Sequence, residues 1–220
     1  MELNFLGRSN STICMLFESL FQLHGTGIKV KIIENIEVKD DLVFGIDAIE
    51  TEILQDTRWD AKADLIRQVR FVMGVYKPKA KMAVFNHFRI KYGILADQYI
   101  NIVDPSVTMA RSVRLNHGIS IGPATVVAPF AELGNLVSSN RKVSIGHHTS
   151  IGAFSSVNPG VNIAGRCVIG EGVTIGMGAN IVDGIHIGDH SVIGAGSLVT
   201  ENIPPNTLAY GVPAKIIKSY

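Results

Sequence analysis

From residue 103 onward an aliphatic side chain returns at every sixth position: Val103, Met109, Leu115, Ile121, Val127, Leu133, then Ile145, Ile151, Val157, Ile163, Ile169, Ile175, Ile181, Ile187, Ile193 and Val199. Only Ser139 interrupts the series. Neither an amphipathic helix, with its period of about 3.6, nor a half-buried strand, with its period of 2, produces this spacing. A hexad predicts a parallel β-helix, in which three short strands make one coil of about 18 residues and one aliphatic residue points inward from each side. The residue after the aliphatic one is often glycine, as at Gly122, Gly134, Gly146, Gly152, Gly170, Gly176, Gly188 and Gly194, which suits a corner. About five coils fit between residues 103 and 199.

The first hundred residues follow other periods. ELNFLG reads as a strand, STICMLFESLFQLHG as a helix and IKVKIIEN as a second strand, which together make a βαβ opening. VRFVMGVY reads as a further strand, and PKAKMAVFNHFRIKYG as a helix begun by Pro78, with Met82, Phe85 and Tyr92 toward one face. Residues 38–65 carry no clear period. Six of the 22 glycines but seven of the nine phenylalanines precede residue 101, so the texture changes between Tyr99 and Asp104. The expected organisation is an α/β, Rossmann-like domain over residues 1–100 and an all-β domain over residues 101–220. The tail ENIPPNTLAYGVPAKIIK is expected to cap the open strand edges of the latter.

Composition narrows the partners. With 46% hydrophobic and 18% charged residues and a net charge of +1, the chain lacks the basic excess of a nucleic-acid binder. Two cysteines, Cys14 and Cys167, one in each half, suggest neither a disulfide framework nor a cysteine-based zinc site, and fit a reducing cytoplasm. The apolar stretch ICMLFESLFQL is broken by Glu18 and Gln22 and is shorter than the roughly 20 residues that span a bilayer, so no membrane insertion is expected.

The hexads together with GVPAKII at 211–217 resemble the left-handed β-helix acyltransferases. Handedness is implied by this resemblance, not by the period. With the N-terminal α/β half, the join YINIVDPSV and the segment NRKVSIGHHTSIG, the chain as a whole is similar to bacterial sugar acetyltransferases, namely the bacillosamine and perosamine N-acetyltransferases and their sialic acid O-acetyltransferase relatives. The resemblance implies a homotrimer, acetyl-CoA in the groove between neighbouring prisms, and a nucleotide-linked amino sugar as acceptor. It implies His147 as the general base and Asn140 in the sugar pocket. His148 stands where the family commonly has a carboxylate beside the base, and is carried as a candidate catalytic residue. Acetyl-CoA contacts carry over to Ser156, Met177 and Ala195, with serine at 156 replacing a frequent histidine. The nucleotide-sugar side carries over to Ser9, Asn10 and Ser11 in the turn GRSNS, and to Glu34 and Asn35 at the end of the second strand.

The chemistry suits these residue types. A neutral amine attacks a thioester far more readily than an ammonium, and an imidazole is a suitable proton acceptor near neutral pH. The developing oxyanion calls for N–H donors, and the backbone at the glycine corners, Gly152 included, is expected to supply them. Neither cysteine has a histidine beside it in the sequence, so direct transfer is expected, without an acyl-enzyme. GRSNS could face a phosphate with its amides but lacks G-x-G-x-x-G, which disfavours a dinucleotide cofactor. His117, His186 and His190 fall at outward positions and are expected to be solvated.

Other readings stand beside this one. A γ-class carbonic anhydrase uses the same prism, but its second histidine, five residues on, would fall at Gly152, and no metal is expected. An O-acetyltransferase would use the same donor on a sugar hydroxyl. A non-catalytic nucleotide-sugar-binding scaffold would need neither His147 nor Asn140.

Overall fold

The computed structural model describes residues 2–35, 49–59 and 70–220. Strands β1 (Glu2–Leu6), β2 (Ile28–Glu34), β3 (Ile49–Gln55) and β4 (Phe71–Met73) form one parallel sheet in the order β3-β2-β1-β4. Helix α1 (Asn10–His24) joins β1 to β2, and α2 (Pro78–Tyr92) follows β4. Alternation along β1 explains the layering: Leu3 and Phe5 pack with Ile13, Leu16, Phe17 and Leu20 of α1, whereas Leu6 packs with Val84 and Phe88 of α2. The rings of Phe5 and Phe17 meet edge to face at 5.5 Å.

Several details differ from the sequence reading. β3 and the 3₁₀ turn Asp56–Arg58 lie within residues 38–65, whose mixed pattern placed no element clearly; residues 36–48 and 60–69 are outside the described residues. The strand expected over VRFVMGVY is only Phe71–Met73, because Gly74 crosses the β1–α1 turn too closely to continue the sheet. A Cβ on Gly74 would stand 2.0 Å from the Gly7 carbonyl oxygen. On α2 the buried stripe is Lys81, Val84 and Phe88, and Met82 is only half-buried.

The repeats form a three-sided prism. Its first face holds Ile102–Val103, Ser120–Ile121, Ser138–Ser139, Ser156–Val157, Thr174–Ile175 and Val192–Ile193, and ends in a hairpin of Thr207–Gly211 and Ala214–Ser219. The second face runs from Thr108–Met109 through Ser144–Ile145 to Leu198–Val199, and the third from Arg114–Leu115 through Ser150–Ile151 to His186–Ile187. Strands pair in parallel with partners 18 residues away, as in Ile145 with Ile163 and Ile151 with Ile169. These parallel sheets and the hexad period fit a left-handed β-helix.

Two inward ladders fill the prism. One is the aliphatic series read from the sequence. The other lies two residues earlier in each hexad and includes Thr125, Val137, Thr149, Ser155, Cys167, Ser191 and Ser197, all fully or almost fully buried. Its polar members are satisfied by corner carbonyls: Thr125 donates to Asn140 O, Thr149 to Ala164 O and Ser155 to Gly170 O. Cys167 has the same role, its Sγ 3.2 Å from Val182 O, and burial pushes its thiol up.

The α/β layer docks on the first face, where the outward residues Ser120, Ser138 and Ser156 are small and buried. Lys81, fully buried, donates from Nζ toward Leu136 O at 2.8 Å, Ser155 O at 2.9 Å and Ser138 Oγ at 3.2 Å. Burial holds the Lys81 amine well below the usual lysine range. Tyr76 donates its hydroxyl to Val157 O, and Ser156 donates back to Tyr76 O.

Candidate active site

Where the α/β layer meets the prism there is a cavity of about 450 Å³. Arg8, Ser9, Ser11 and Thr12 line one side, Tyr76, Lys77 and Ala80 another, and Pro123, Asn140, Arg141 and Asn158 the prism side. Among the described residues, three cationic side chains and no carboxylate belong to this wall. Ser9 caps α1 with extended backbone and no side-chain cap hydrogen bond, so the first-turn amides rely on other partners.

Second-layer contacts fix the wall. Arg8 donates to Glu34 Oε1 at 2.7 Å and to Asn10 Oδ1 at 3.0 Å, while Gln55 donates to Glu34 Oε2 at 2.7 Å. Glu34 is buried, with both oxygens engaged, so it orients Arg8 and does not present an acceptor to the cavity. That differs from the expected contact with a nucleobase. Asn10 likewise faces Arg8, and Asn35 does not line the cavity. Arg8 was missed in the sequence because an arginine in a turn reads as solvated; only its place between Gly7 and the SNS cap hinted otherwise.

Asn140 accepts from the Arg141 N–H at 2.8 Å, which holds the start of the turn, and its side chain also hydrogen-bonds Tyr76. Burial raises the Tyr76 phenol far above its ordinary value, and the Asn140 contact offsets part of that shift.

His147 lies elsewhere. Residues 140–142 turn the edge between the first and second faces, whereas 146–148 turn the edge between the second and third. The seven residues from Asn140 to His147 therefore cross a whole face, and within one chain the two side chains are on different edges. His147 is half-buried, and its Nδ1 is 3.1 Å from His148 Nδ1, so one ring donates and the other accepts. His148 is exposed, adopts φ 57°, and leans on Phe130 with ring centroids 4.8 Å apart. The other nitrogen of His147, Nε2, faces the next coil over Gly165.

Two repeat models match the prism: hexapeptide repeat of succinyl-transferase over residues 142–176, and bacterial transferase hexapeptide (six repeats) over 166–201. No curated protein is similar enough to count as a match. Among solved structures, a histidine-to-asparagine variant of perosamine N-acetyltransferase from Caulobacter crescentus, in complex with CoA and GDP-perosamine, superimposes with a TM-score of 0.80 at 22% identity, over 99% of this chain and 96% of that one. The acetyltransferase domain of PglB from Neisseria gonorrhoeae, in complex with acetyl coenzyme A, gives 0.76 at 18% identity over 98% of both chains. WeeI from Acinetobacter baumannii gives 0.72 at 17% identity over 99% of both. The chain shares their fold from end to end.

On this hexapeptide-repeat scaffold the remaining candidates separate. Met177 and Ala195 are exposed on the same edge as Asn140 and Arg141, in successive coils beyond Asn158, so they continue the cavity's edge toward the C-terminal hairpin. Ser156 does not join them: it is 1% exposed, covered by Tyr76, with its hydroxyl donated to Tyr76 O. Gly152 does not offer an oxyanion donor either, because its N–H donates to Ile169 O at 2.7 Å within the ladder. His117, His186 and His190 are exposed. Among the described residues, no group of three histidine, cysteine or carboxylate side chains could hold a metal, and no helix is long and apolar enough to cross a membrane.

Proposed function

We propose that the protein transfers an acetyl group from acetyl-CoA to the amino group, at position 4, of a nucleotide-linked deoxy amino sugar. It acts as a cytoplasmic homotrimer whose sites lie between copies. The α/β part, residues 1–100, is the Rossmann-like nucleotide-sugar-binding domain, and residues 101–220 are the left-handed β-helix that carries donor and base. One observation carries the reading: a cavity at the start of α1, lined by cations and by no carboxylate among the described residues, shares a prism edge with Met177 and Ala195, while the adjacent histidines His147 and His148 stand on another edge. The fold matches, whose names include a perosamine N-acetyltransferase with CoA and GDP-perosamine, support the same chemistry.

In this reading the diphosphate lies against the first-turn amides of α1 with Lys77 and Arg141 beside it, and Asn140 and Tyr76 border the sugar. A neighbouring copy brings His147 to the sugar amine. The ammonium first loses a proton through His147 to solvent. The amine lone pair then attacks the thioester carbonyl carbon, the C–N bond forms, the C–S bond breaks, and the second amine proton reaches the departing thiolate through His147. The products are the amide, free CoA and one proton.

The test is thiol release from acetyl-CoA with a panel of UDP-, dTDP- and GDP-linked 4-amino sugars, and with sialic acid as a hydroxyl control. Turnover confined to an amino sugar is expected. Acetyl transfer to sialic acid alone would contradict the amine assignment, and donor binding without any transfer would favour a binding scaffold. In the same assay, Arg141→Ser should raise the KM for the nucleotide-sugar about 10-fold or more with a smaller change in kcat, since a charge-assisted phosphate contact is lost. An unchanged KM would remove Arg141 from the phosphate site.

A further inference from the structure

The edge that carries His147 also carries Gly165 and Asp183, one and two coils further on in the same register. A Cβ added to Gly165 would stand 2.7 Å from both Nε2 and Cε1 of His147 and 2.9 Å from Asp183 Oδ1. The imidazole and the carboxylate therefore overhang one notch from its two sides. They are less than about 6 Å apart, the span of two hydrogen bonds. The absence of a side chain on Gly165 is what keeps the notch open.

The remaining atoms of this group have other partners. His147 Nδ1 meets His148, and Asp183 Oδ2 is 3.5 Å from Arg166 Nη1. What faces the notch is one neutral-or-cationic nitrogen and one anionic oxygen. A hydroxyl would gain little from the carboxylate beyond a hydrogen bond. An ammonium gains an ion pair there and has three N–H groups, enough to donate to both Nε2 and Oδ1.

We infer that the notch over Gly165, between His147 Nε2 and Asp183 Oδ1, is where the acceptor's ammonium docks, and that Asp183 selects an amine over a hydroxyl. The inference rests on the acetyl-transfer reading above. Asp183 binds the ammonium, His147 removes its proton, and the neutral amine left on the Asp183 side is held beside the base for attack.

The test uses the intact protein, the 4-amino nucleotide-sugar that the wild type acetylates fastest, and the same nucleotide-sugar with hydroxyl in place of the amine as a competitive inhibitor. Asp183→Asn is expected to raise the KM for the amine at least 10-fold while the inhibition constant of the hydroxyl analogue and the KM for acetyl-CoA change less than about 2-fold. The Arg166 and Asp183 side chains are both more than half exposed, so thermal melting should be nearly unchanged. Gly165→Ala fills the notch and is expected to lower kcat about 10²-fold with acetyl-CoA binding retained. Equal losses for amine and hydroxyl ligands in Asp183→Asn, or full activity in Gly165→Ala, would overturn the inference while leaving the acetyl-transfer reading intact. A wild type that acetylates no amine overturns both.

Discussion

Replacing His147 by alanine is expected to lower kcat by about 10²-fold or more and to leave the KM for acetyl-CoA almost unchanged. The size follows from what positioned bases contribute, about 10² to 10⁴ in rate. The split between kcat and KM follows from place, because Met177 and Ala195 lie on a different edge from His147. A fall in donor affinity equal to the fall in kcat would make His147 a binding residue. Full turnover would remove it from the chemistry. His148→Ala should cost less, since that ring touches Phe130 and His147 Nδ1, on the side away from the notch.

A comparably large effect, on stability, is expected at Lys81. Lys81→Ala should lower the unfolding free energy by roughly 3–5 kcal/mol, combining a cavity with buried acceptors at Leu136, Ser138 and Ser155 that lose their donor. The pH dependence gives a sharper check. Burial depresses the folded-state pKa of this amine, so between that value and the ordinary lysine value of 10.5 the unfolded chain binds more protons than the folded one. Wild-type stability from this group therefore increases as pH rises through that window. The alanine variant has no such term. The deficit of Lys81→Ala should thus be larger at pH 9.5 than at pH 7 in denaturant unfolding at equal protein concentration. A deficit that shrinks with pH would show that the amine is held charged in the folded state. A neutral amine still has two N–H groups for the Leu136 and Ser155 carbonyls.

The hexad ladder was legible residue by residue because aliphatic side chains at a fixed period have one physical use, and βαβ was legible from its glycine-bounded apolar runs. The second inward ladder was not. Thr125, Thr149, Ser155 and Ser191 carry no local signal of burial, because small polar residues are normally solvated and only the corner carbonyls they satisfy make burial tolerable. Lys81 was hidden for the same reason in stronger form. Ser156 was carried over as an acetyl-CoA contact from the resemblance alone, but on the first face its outward side lies beneath Tyr76. Glu34 was carried over as a nucleobase contact, whereas its partners Arg8 and Gln55 come from chain segments that no local pattern connects.

Asn140 and His147 illustrate the more general difficulty. Seven residues apart, they look like neighbours, but a prism turns a corner every six residues and sends them to separate edges. In the proposed trimer one copy's second edge would meet the next copy's first, which would bring the two together. Gly165 and Asp183, by contrast, are 18 and 36 positions from His147 and meet it directly, since that is the period of the coil.

The claim that one copy supplies the base and its neighbour the cavity is tested most directly by mixing two inactive variants. His147→Ala removes the base, and Ser11→Trp fills the cavity with an indole. Dissociated, combined in equal amounts and reassembled, they should recover about one quarter of the wild-type sites, those in which an intact cavity faces an intact histidine. Activity that stays at the level of the separate variants, although mixed trimers have formed, would mean that each site is built from a single chain.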